Sequence, residues 1–365
     1  MNQEFPPPRL EEHSYQSAAL EDCRILAADP AQAARLTSRF KTVAVITDGS
    51  KIRFPGESAP QAALPLVEAK CRLIRSLAGI EALPLAIANG GAEDAVRFLT
   101  ALAPSIGAVN LEAMGEAVSM VIKRRMAEGG ELPIYQDRLD GLPVICLAAL
   151  QNALKVLGKK MSEIRLVITG GEADALALVN FLRLAGTSDI VVCDRLGAIH
   201  KGRPGPTNWV KEDLAARTNP RQLKGPLAKV AAGADALAIV GPLPAASKDW
   251  PPVLSEASVV LDLGDSPAET LPQAAVSASP SPGKPNFLSP SLIFPGVLKG
   301  ILAARARQLN PSMKMAAAMA LAGLVPETAL GPEAVVPQVT KPNLSETIAQ
   351  AVASAAAASG VGSLS

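Results

Sequence analysis

The stretch that decides the fold runs from residue 164 to 194 and reads IRLVITGGEADALALVNFLRLAGTSDIVVCD. It opens with an apolar run that ends at Gly170, continues as a helical segment, and closes on a second apolar run that ends at Asp194. A strand, a helix and a strand in this order form the βαβ unit of a parallel sheet. The pattern predicts such a unit over 163–194, within a doubly wound sheet.

Apolar runs bounded by glycine or turn residues recur on both sides of this unit. They are TVAVITDGS (42–50), ALPLAIAN (82–89), AVNLEAM (108–114), LPIYQDRLDG (132–141), ALAIVG (236–241) and VVLDLG (259–264). A chain of 365 residues is long enough for two domains. We therefore predict an α/β fold with an N-terminal α/β domain over 1–150 and a Rossmann-like doubly wound domain over 151–330. Residues 331–365 are predicted to form a helix that packs back on the first domain, followed by a frayed tail.

Composition and charge exclude several classes of protein. Hydrophobic residues make up 48% and aromatic residues 3%, which favours helices laid on a parallel sheet over a β-barrel. The net charge is +1, and the longest basic run, Lys123-Arg124-Arg125, is typical of a solvated helix face, so no nucleic-acid partner is expected. No apolar run reaches the ~18 residues of a membrane span, and the N-terminus lacks the pattern of a signal peptide. The cysteines lie far apart without a CxxC pair, which indicates reduced thiols and a cytoplasmic location: Cys23, Cys71, Cys146 and Cys193.

Several local strings, in their order and spacing, resemble the small bacterial malic enzymes from Tyr15 to Gly360. The strings are VAVITDGS, AALPLVEAK, VNLE, LAALQNALKVLGKK, VVCDRLGAIHKGR, IFPGVLKGILAARARQLN and MKMAAAMALAGLVP. The resemblance implies a protein that oxidises malate with NAD(P) and decarboxylates the product to pyruvate, with a divalent metal ion holding the substrate. It also implies a homodimer.

The resemblance assigns three residues to acid–base chemistry. Tyr15 stands at the position of the general acid, Lys70 at that of the general base, and Asp137 at that of the carboxylate that assists the base. A lysine acts as a base only when its neighbours depress its pKa. The alternatives are an exposed tyrosine, a solvated helix lysine and a turn aspartate.

The metal site departs from the family pattern. Glu112 matches the first of three carboxylate ligands, but Ala113 and Arg138 stand at the other two positions. Arginine is a permanent cation, and it would repel a divalent ion at its own position. We expect Arg138 to replace the ion by pairing with Glu112, and it could also hold a substrate carboxylate. The alternative is that Arg138 points to solvent.

The nucleotide loop departs as well. Gly170, Glu172 and Ala175 stand where the family has Gly-x-Gly-x-x-Gly, with Gly171 between the first two. A carboxylate at ~4 Å from a phosphate, at an effective dielectric of ~20, costs about 4 kcal/mol. Glu172 is therefore expected to weaken nucleotide binding, although it could instead cap the following helix. Asp194 remains available to accept a ribose hydroxyl.

Two asparagines that contact substrate and nicotinamide in the family are also replaced. Asp265-Ser266 stands in place of the first Asn-Pro pair, and Ser289-Pro290 stands in place of the second asparagine, so Ser289 is a candidate substrate contact. These departures together predict a pseudoenzyme, scaffold or binder of a small dicarboxylate that holds no cofactor tightly. The alternative is an active, divergent malate dehydrogenase (oxaloacetate-decarboxylating) that uses NAD(P) with Mg²⁺ or Mn²⁺.

Overall fold

The computed structural model describes residues 15–52, 59–129, 132–241, 251–264 and 271–363, together with Leu243 and Ser266. These residues form one parallel and one mostly parallel sheet flanked by helices, so the predicted α/β class is confirmed. The predicted domain limits at residues 150 and 330 stay predictions.

The first sheet has four parallel strands in the order β2-β1-β3-β4. Its central strand β1 is buried at each of its six positions, as expected for a strand covered on both faces. The elements of this part are α1 (Tyr15–Ala28), α2 (Ala33–Leu36), β1 (Thr42–Thr47), α3 (Leu64–Ala78), β2 (Glu81–Ala86), α4 (Gly91–Leu102), β3 (Ala108–Leu111), α5 (Glu116–Gly129), β4 (Ile134–Gln136) and α6 (Leu142–Val156). A π-helical turn, Asp137–Gly141, joins β4 to α6.

The second sheet has six strands in the order β10-β9-β8-β5-β6-β7. The elements are β5 (Arg165–Thr169), α7 (Ala173–Leu184), β6 (Asp189–Asp194), β7 (Gly197–Ala198), α8 (Trp209–Arg217), α9 (Leu227–Ala231), β8 (Ala236–Ile239), β9 (Val259–Asp262) and β10 (Val276–Ala278). β5 and β6 pair in parallel with α7 between them, which confirms the predicted βαβ unit. The short β7 is the antiparallel member.

The order of strands reverses between β5 and β8. Ligands of doubly wound sheets bind in the crevice at such a switch point, beyond the carboxyl ends of the strands. Here Gly170 follows β5 with φ +120°, a conformation that L side chains rarely adopt. A Cβ on the facing Gly241 would lie 2.8 Å from the Gly170 Cα, so the two loops touch through their backbones.

The C-terminal part of the described chain contains three α-helices longer than nine residues. They are α10 (Phe294–Ala303), α11 (Pro311–Gly323) and α12 (Leu344–Ala358). α10 and α11 both pack on α12, and they also contact α3 and α6 respectively. Asp137–Val156 is long and apolar enough to span a membrane, but 83% of the apolar 18-residue window within it is buried inside the protein, as in the core helix of a folded domain.

The tail of the chain is not frayed at residues 361–363, contrary to the sequence prediction. Ser363 donates its backbone N–H to the carbonyl of Ala304, and Val361 accepts one from Arg307. The turn after α10 exposes backbone groups that need partners, and the tail provides them.

The exposure of the basic run Lys123-Arg124-Arg125 on α5 also differs from the prediction. Lys123 is largely buried and donates to Asp140 at 2.6 Å and to the Ile134 carbonyl at 2.6 Å, whereas Arg124 and Arg125 are exposed. Asp140 is buried in the π-helical turn, and this carboxylate needs a cation because an unpaired buried charge is costly. The pair fixes the turn that carries Asp137 and Arg138.

Candidate active-site cleft

A buried ion cluster lies at the carboxyl end of the first sheet. Lys70 reaches it from the buried face of α3, Glu112 follows β3 directly, and Asp137 opens the π-helical turn after β4. The Lys70 Nζ lies 2.5 Å from Asp137 Oδ2 and 3.2 Å from Glu112 Oε2. The structure therefore brings together the residues predicted as general base and assisting carboxylate, with the predicted metal ligand beside them. Their catalytic and ligand roles stay predictions.

Burial and mutual charge set the protonation of this cluster. Burial lowers the pKa of Lys70, but the Asp137 and Glu112 carboxylates raise it by more, so its net direction is upward and the amine holds its proton. The ring of Phe294 lies 3.8 Å below the ammonium and favours the charged form further. Burial raises the pKa of Glu112 to about 7, against the lowering effect of Lys70. A protonated lysine is a hydrogen-bond donor, and it must lose this proton before it can act as a base.

Three buried oxygens of the cluster make no hydrogen bond within the described chain: Glu112 Oε2, Asp137 Oδ1 and Tyr135 Oη. Glu112 Oε2 is at ion-pair distance from Lys70, without hydrogen-bond geometry. Burial raises the pKa of Tyr135 well above its usual value, so its phenol is neutral. A cavity of about 250 Å³, lined also by Glu116, opens beside Glu112 and Asp137. These three oxygen atoms can therefore accept further hydrogen bonds.

The predicted ion pair between Arg138 and Glu112 is wrong. Arg138 donates from Nε and Nη2 to Asp174 Oδ2 at 2.8 and 2.6 Å, and from Nη2 to the Val240 carbonyl at 2.9 Å. Its Nε is also 3.6 Å from Glu116 Oε1. Glu112 is already paired with Lys70, which leaves the longer arginine to reach across to the second sheet. The alternative, an arginine turned fully to solvent, is excluded by these bonds.

Arg138 contacts the nucleotide loop through Asp174. Asp174 is in the first turn of α7 and is 8% exposed, so its pairing with Arg138 places a neutralised carboxylate at the helix N-terminus. Glu172 is the N-cap residue, but its side chain makes no capping hydrogen bond and is exposed. The predicted repulsion by Glu172 is therefore too large, because solvent screens an exposed carboxylate. Ala175 is buried against Gly170, at 3.4 Å from a Cβ built there.

The carboxylate at the end of β6 is fully engaged. Asp194 accepts two hydrogen bonds of 2.8 Å from the guanidinium of Arg203 and one of 2.9 Å from the Leu196 N–H, and Lys211 lies at 3.1 Å. Burial acts to raise its pKa, but these partners outweigh it and lower the pKa to about 2. A Cβ added to Gly171 would be 3.1 Å from the Asp194 Cβ, so the loop packs directly on this residue. A ribose hydroxyl would have to compete with two cations for Asp194.

The remaining predicted residues are Tyr15, Asp265 and Ser289. Tyr15 begins α1, and its side chain lies outside the described residues, as does Asp265. Ser289 caps a short 3₁₀ helix through Ser291 N–H at 3.2 Å. Its neighbours Leu288 and Pro290 line a cavity of about 180 Å³ that also borders Asp137 and Arg138.

Comparison with known proteins identifies the family. The family model described as "Malic enzyme, NAD binding domain" matches residues 268–357. The chain is 35% identical over 347 residues to the NAD-dependent malic enzyme of Geobacillus stearothermophilus, covering 93% of this chain and 72% of that one. It is 33% identical to the bifunctional malic/malolactic enzyme of Bacillus subtilis, over 95% and 86% of the two chains. The crystal structure of the NAD-dependent malic enzyme of Thermotoga maritima matches with a TM-score of 0.87 and 28% identity, over 97% and 96%.

The chain belongs to the malic enzyme family. The second sheet is therefore the family's Rossmann-like NAD-binding domain, and the relatives above are named as NAD-dependent or malic/malolactic enzymes. The resemblance inferred from the sequence is confirmed.

The metal ion of the family does not fit the residues present. Among the described residues, no three carboxylate, histidine or cysteine side chains are arranged to hold an ion. The Ala113 side chain has no ligand atom, and Glu112 and Asp137 each have one oxygen at ion-pair distance from the Lys70 ammonium. Arg138 adds a further positive charge within 3.6 Å of Glu116. Each of these features opposes a divalent cation.

The NAD-type cofactor fits in part. The backbone turn at Gly170 and the close packing at Gly171 are those of a dinucleotide loop. The N-terminus of α7 is occupied by the Arg138–Asp174 pair, and Asp194 is held by Arg203 and Lys211. A bound pyrophosphate would have to share the N-terminus of α7 with the Arg138–Asp174 pair or displace that pair.

Sequence reasoning missed the partners in this cleft. Asp174 is the second residue of α7 and carried no motif position of its own, and neither Tyr135 nor Phe294 was a candidate site residue. Arg203 was within a family-matching string, and its spacing of nine residues from Asp194 was the available signal.

Proposed function

We propose that this chain is a catalytically deficient member of the malic enzyme family, a pseudoenzyme that does not carry out metal-dependent oxidative decarboxylation of malate. The observation that carries the proposal is the position of Arg138. Its side chain starts at the third metal-ligand position and ends at the first turn of α7, on Asp174 and the Val240 carbonyl. One internal side chain thus takes up space needed for the ion and for the cofactor phosphates.

The charge of the cleft argues for a scaffold rather than a dicarboxylate binder. Four carboxyl groups, Glu112, Glu116, Asp137 and Asp174, face three cations, Lys51, Lys70 and Arg138, so the cleft has no surplus positive charge even when Glu112 is protonated. A dicarboxylate would bring two further negative charges, without a metal ion to offset them. Coulomb repulsion between like charges at close range disfavours that complex.

The second candidate is an active NAD(P)-dependent oxidoreductase with altered metal use. It is favoured by the Lys70–Asp137 contact of 2.5 Å, which keeps the family's base and its assisting carboxylate together. In that case NAD(P) with Mg²⁺ or Mn²⁺ would bind. A homodimer and a cytoplasmic location stay predictions under both candidates.

An assay of malate-dependent NAD and NADP reduction separates the two. Purified protein is measured with Mg²⁺ and with Mn²⁺, beside the Geobacillus stearothermophilus enzyme as a positive control. We expect no turnover above that of a Lys70→Met variant, which removes the amine while leaving Arg138 in place. Turnover by the parent that Lys70→Met abolishes would establish the second candidate.

A further inference from the structure

A separate cavity of about 360 Å³ has three arginines in its wall. We call it the arginine cavity. Arg39, Arg305 and Arg307 line it together with apolar residues that include Phe40, Ile106 and Ala306. It is formed where the turn before β1, the turn before β3 and the turn after α10 meet.

The three guanidiniums are not neutralised within the described chain. No carboxylate there is within ion-pair distance of any of them, whereas Arg138, Arg203 and Lys211 are all paired with carboxylates. Arg39 lies over the Phe40 ring at 5.0 Å, and its Nε is buried without a hydrogen-bond partner. Arg307 donates to the Gly360 carbonyl at 3.1 Å. A buried donor without an acceptor costs free energy, which an anionic ligand would recover.

The backbone at Arg305 adds an independent observation. Arg305 follows the C-cap of α10 with φ +49°, and its N–H bonds to the Leu302 carbonyl at 3.0 Å. Glycine is the usual residue at this left-handed position because it has no Cβ. An arginine there carries a backbone cost, and its side chain lines the cavity.

The arginine cavity is distinct from the Lys70 cluster. Helix α10 separates them: its first residue, Phe294, contacts Lys70, and its last turn ends at the cavity. Ten residues of helix span about 15 Å. A ligand in the arginine cavity would therefore not touch the groups of the candidate active site.

We propose that the arginine cavity binds the phosphate or pyrophosphate group of a small organic phosphate. Guanidinium forks match phosphate oxygens with paired N–H donors, and three of them suit a group with two or more negative charges. The apolar wall formed by Phe40, Ile106 and Ala306 gives the organic part of the ligand a surface to pack on. The volume is in the range of small-molecule sites.

Calorimetric titration of the full chain at low ionic strength tests the proposal. The probes are inorganic pyrophosphate, phenyl phosphate and inorganic phosphate. We expect saturable binding at one site per chain, with phenyl phosphate tighter than phosphate because its ring is buried. Absence of saturable binding would overturn the proposal.

Variants locate the site. Arg39→Gln and Arg305→Gly should each weaken pyrophosphate binding by about tenfold or more, the loss expected for one charge-assisted hydrogen bond. Arg305→Gly should leave the Tm unchanged or raise it, because glycine adopts the left-handed backbone freely. Arg72→Gln, which removes an exposed arginine from α3, is the charge-matched control and should bind as the parent does. Equal weakening by Arg72→Gln would show non-specific attraction and overturn the proposal.

Discussion

Arg138 and Asp174 connect the two sheets of the molecule through a shared carboxylate oxygen. Nε and Nη2 of Arg138 both donate to Asp174 Oδ2, and the same Nη2 also donates to the Val240 carbonyl at the switch point of the second sheet. Arg138 lies in the turn that provides metal ligands in the family. An arginine at this position therefore alters both the metal site and the N-terminus of α7.

Replacing Arg138 should destabilise the protein. In Arg138→Ala, Asp174 remains 8% exposed without its cation, and an uncompensated buried charge is costly. Because the Arg138 side chain is 34% exposed, solvent reduces the cost, and we expect a loss of about 1–3 kcal/mol in the free energy of unfolding. Urea denaturation measures it.

A double-mutant cycle isolates the pair. Arg138→Ala/Asp174→Ala should recover part of the loss, since it removes the stranded charge. The control is Arg217→Ala, which breaks an exposed pair with Asp213 and should cost under about 1 kcal/mol. Equal losses in the free energy of unfolding for Arg138→Ala and Arg217→Ala would contradict a special stabilising role of the Arg138–Asp174 pair.

NAD binding should be weak for a reason other than Glu172. We expect NAD and NADP to bind at best in the millimolar range, because the Arg138–Asp174 pair occupies the N-terminus of α7. Glu172→Gly restores the family glycine, yet it should tighten binding by less than about fivefold because the removed carboxylate is exposed. Calorimetry measures both affinities. Micromolar binding by the parent, or a gain of a hundredfold in Glu172→Gly, would contradict this account.

Acid stability should depend on Asp194. Its pKa is lowered from 3.8 to about 2 in the folded protein, so the folded state binds fewer protons than the unfolded state between these values. The stabilisation is therefore present above pH 4 and is lost as the pH falls from about 4 to about 2. Asp194→Asn should lower stability at neutral pH and flatten this part of the profile of Tm against pH. Asp213→Asn removes a half-buried carboxylate and is the control, and an unchanged profile in Asp194→Asn would refute the assignment.

The sequence predicted the fold because its signals were local. Buried parallel strands appear as short apolar runs, and the glycine at Gly170 marks the turn that ends β5. The family resemblance, and not the local pattern, assigned Lys70, Glu112 and Asp137 to one site. Only Glu112 and Asp137 directly follow parallel strands, whose carboxyl ends meet at one edge of the sheet.

Side-chain partners were harder to predict. A motif position locates the backbone of Arg138, but Glu112, Glu116 and Asp174 all lie close enough to its start to compete for a long side chain. Glu112 was taken by Lys70, a contact that depends on how α3 packs on the sheet. Lys123 was assigned to solvent because charged runs on helices are usually exposed, and the buried Asp140 that holds it could not be recognised before folding.

A Mn²⁺ titration tests most directly whether Arg138 stands in place of the family's metal ion. The parent is compared by electron paramagnetic resonance with Arg138→Asp and with Ala113→Asp/Arg138→Asp. Ala113 has φ +49°, a left-handed conformation that aspartate tolerates better than most residues, so the second carboxylate can be accommodated. We expect the parent to leave millimolar Mn²⁺ free and the double variant to bind it at least tenfold more tightly than the parent and Arg138→Asp. Micromolar Mn²⁺ binding by the parent would contradict the account.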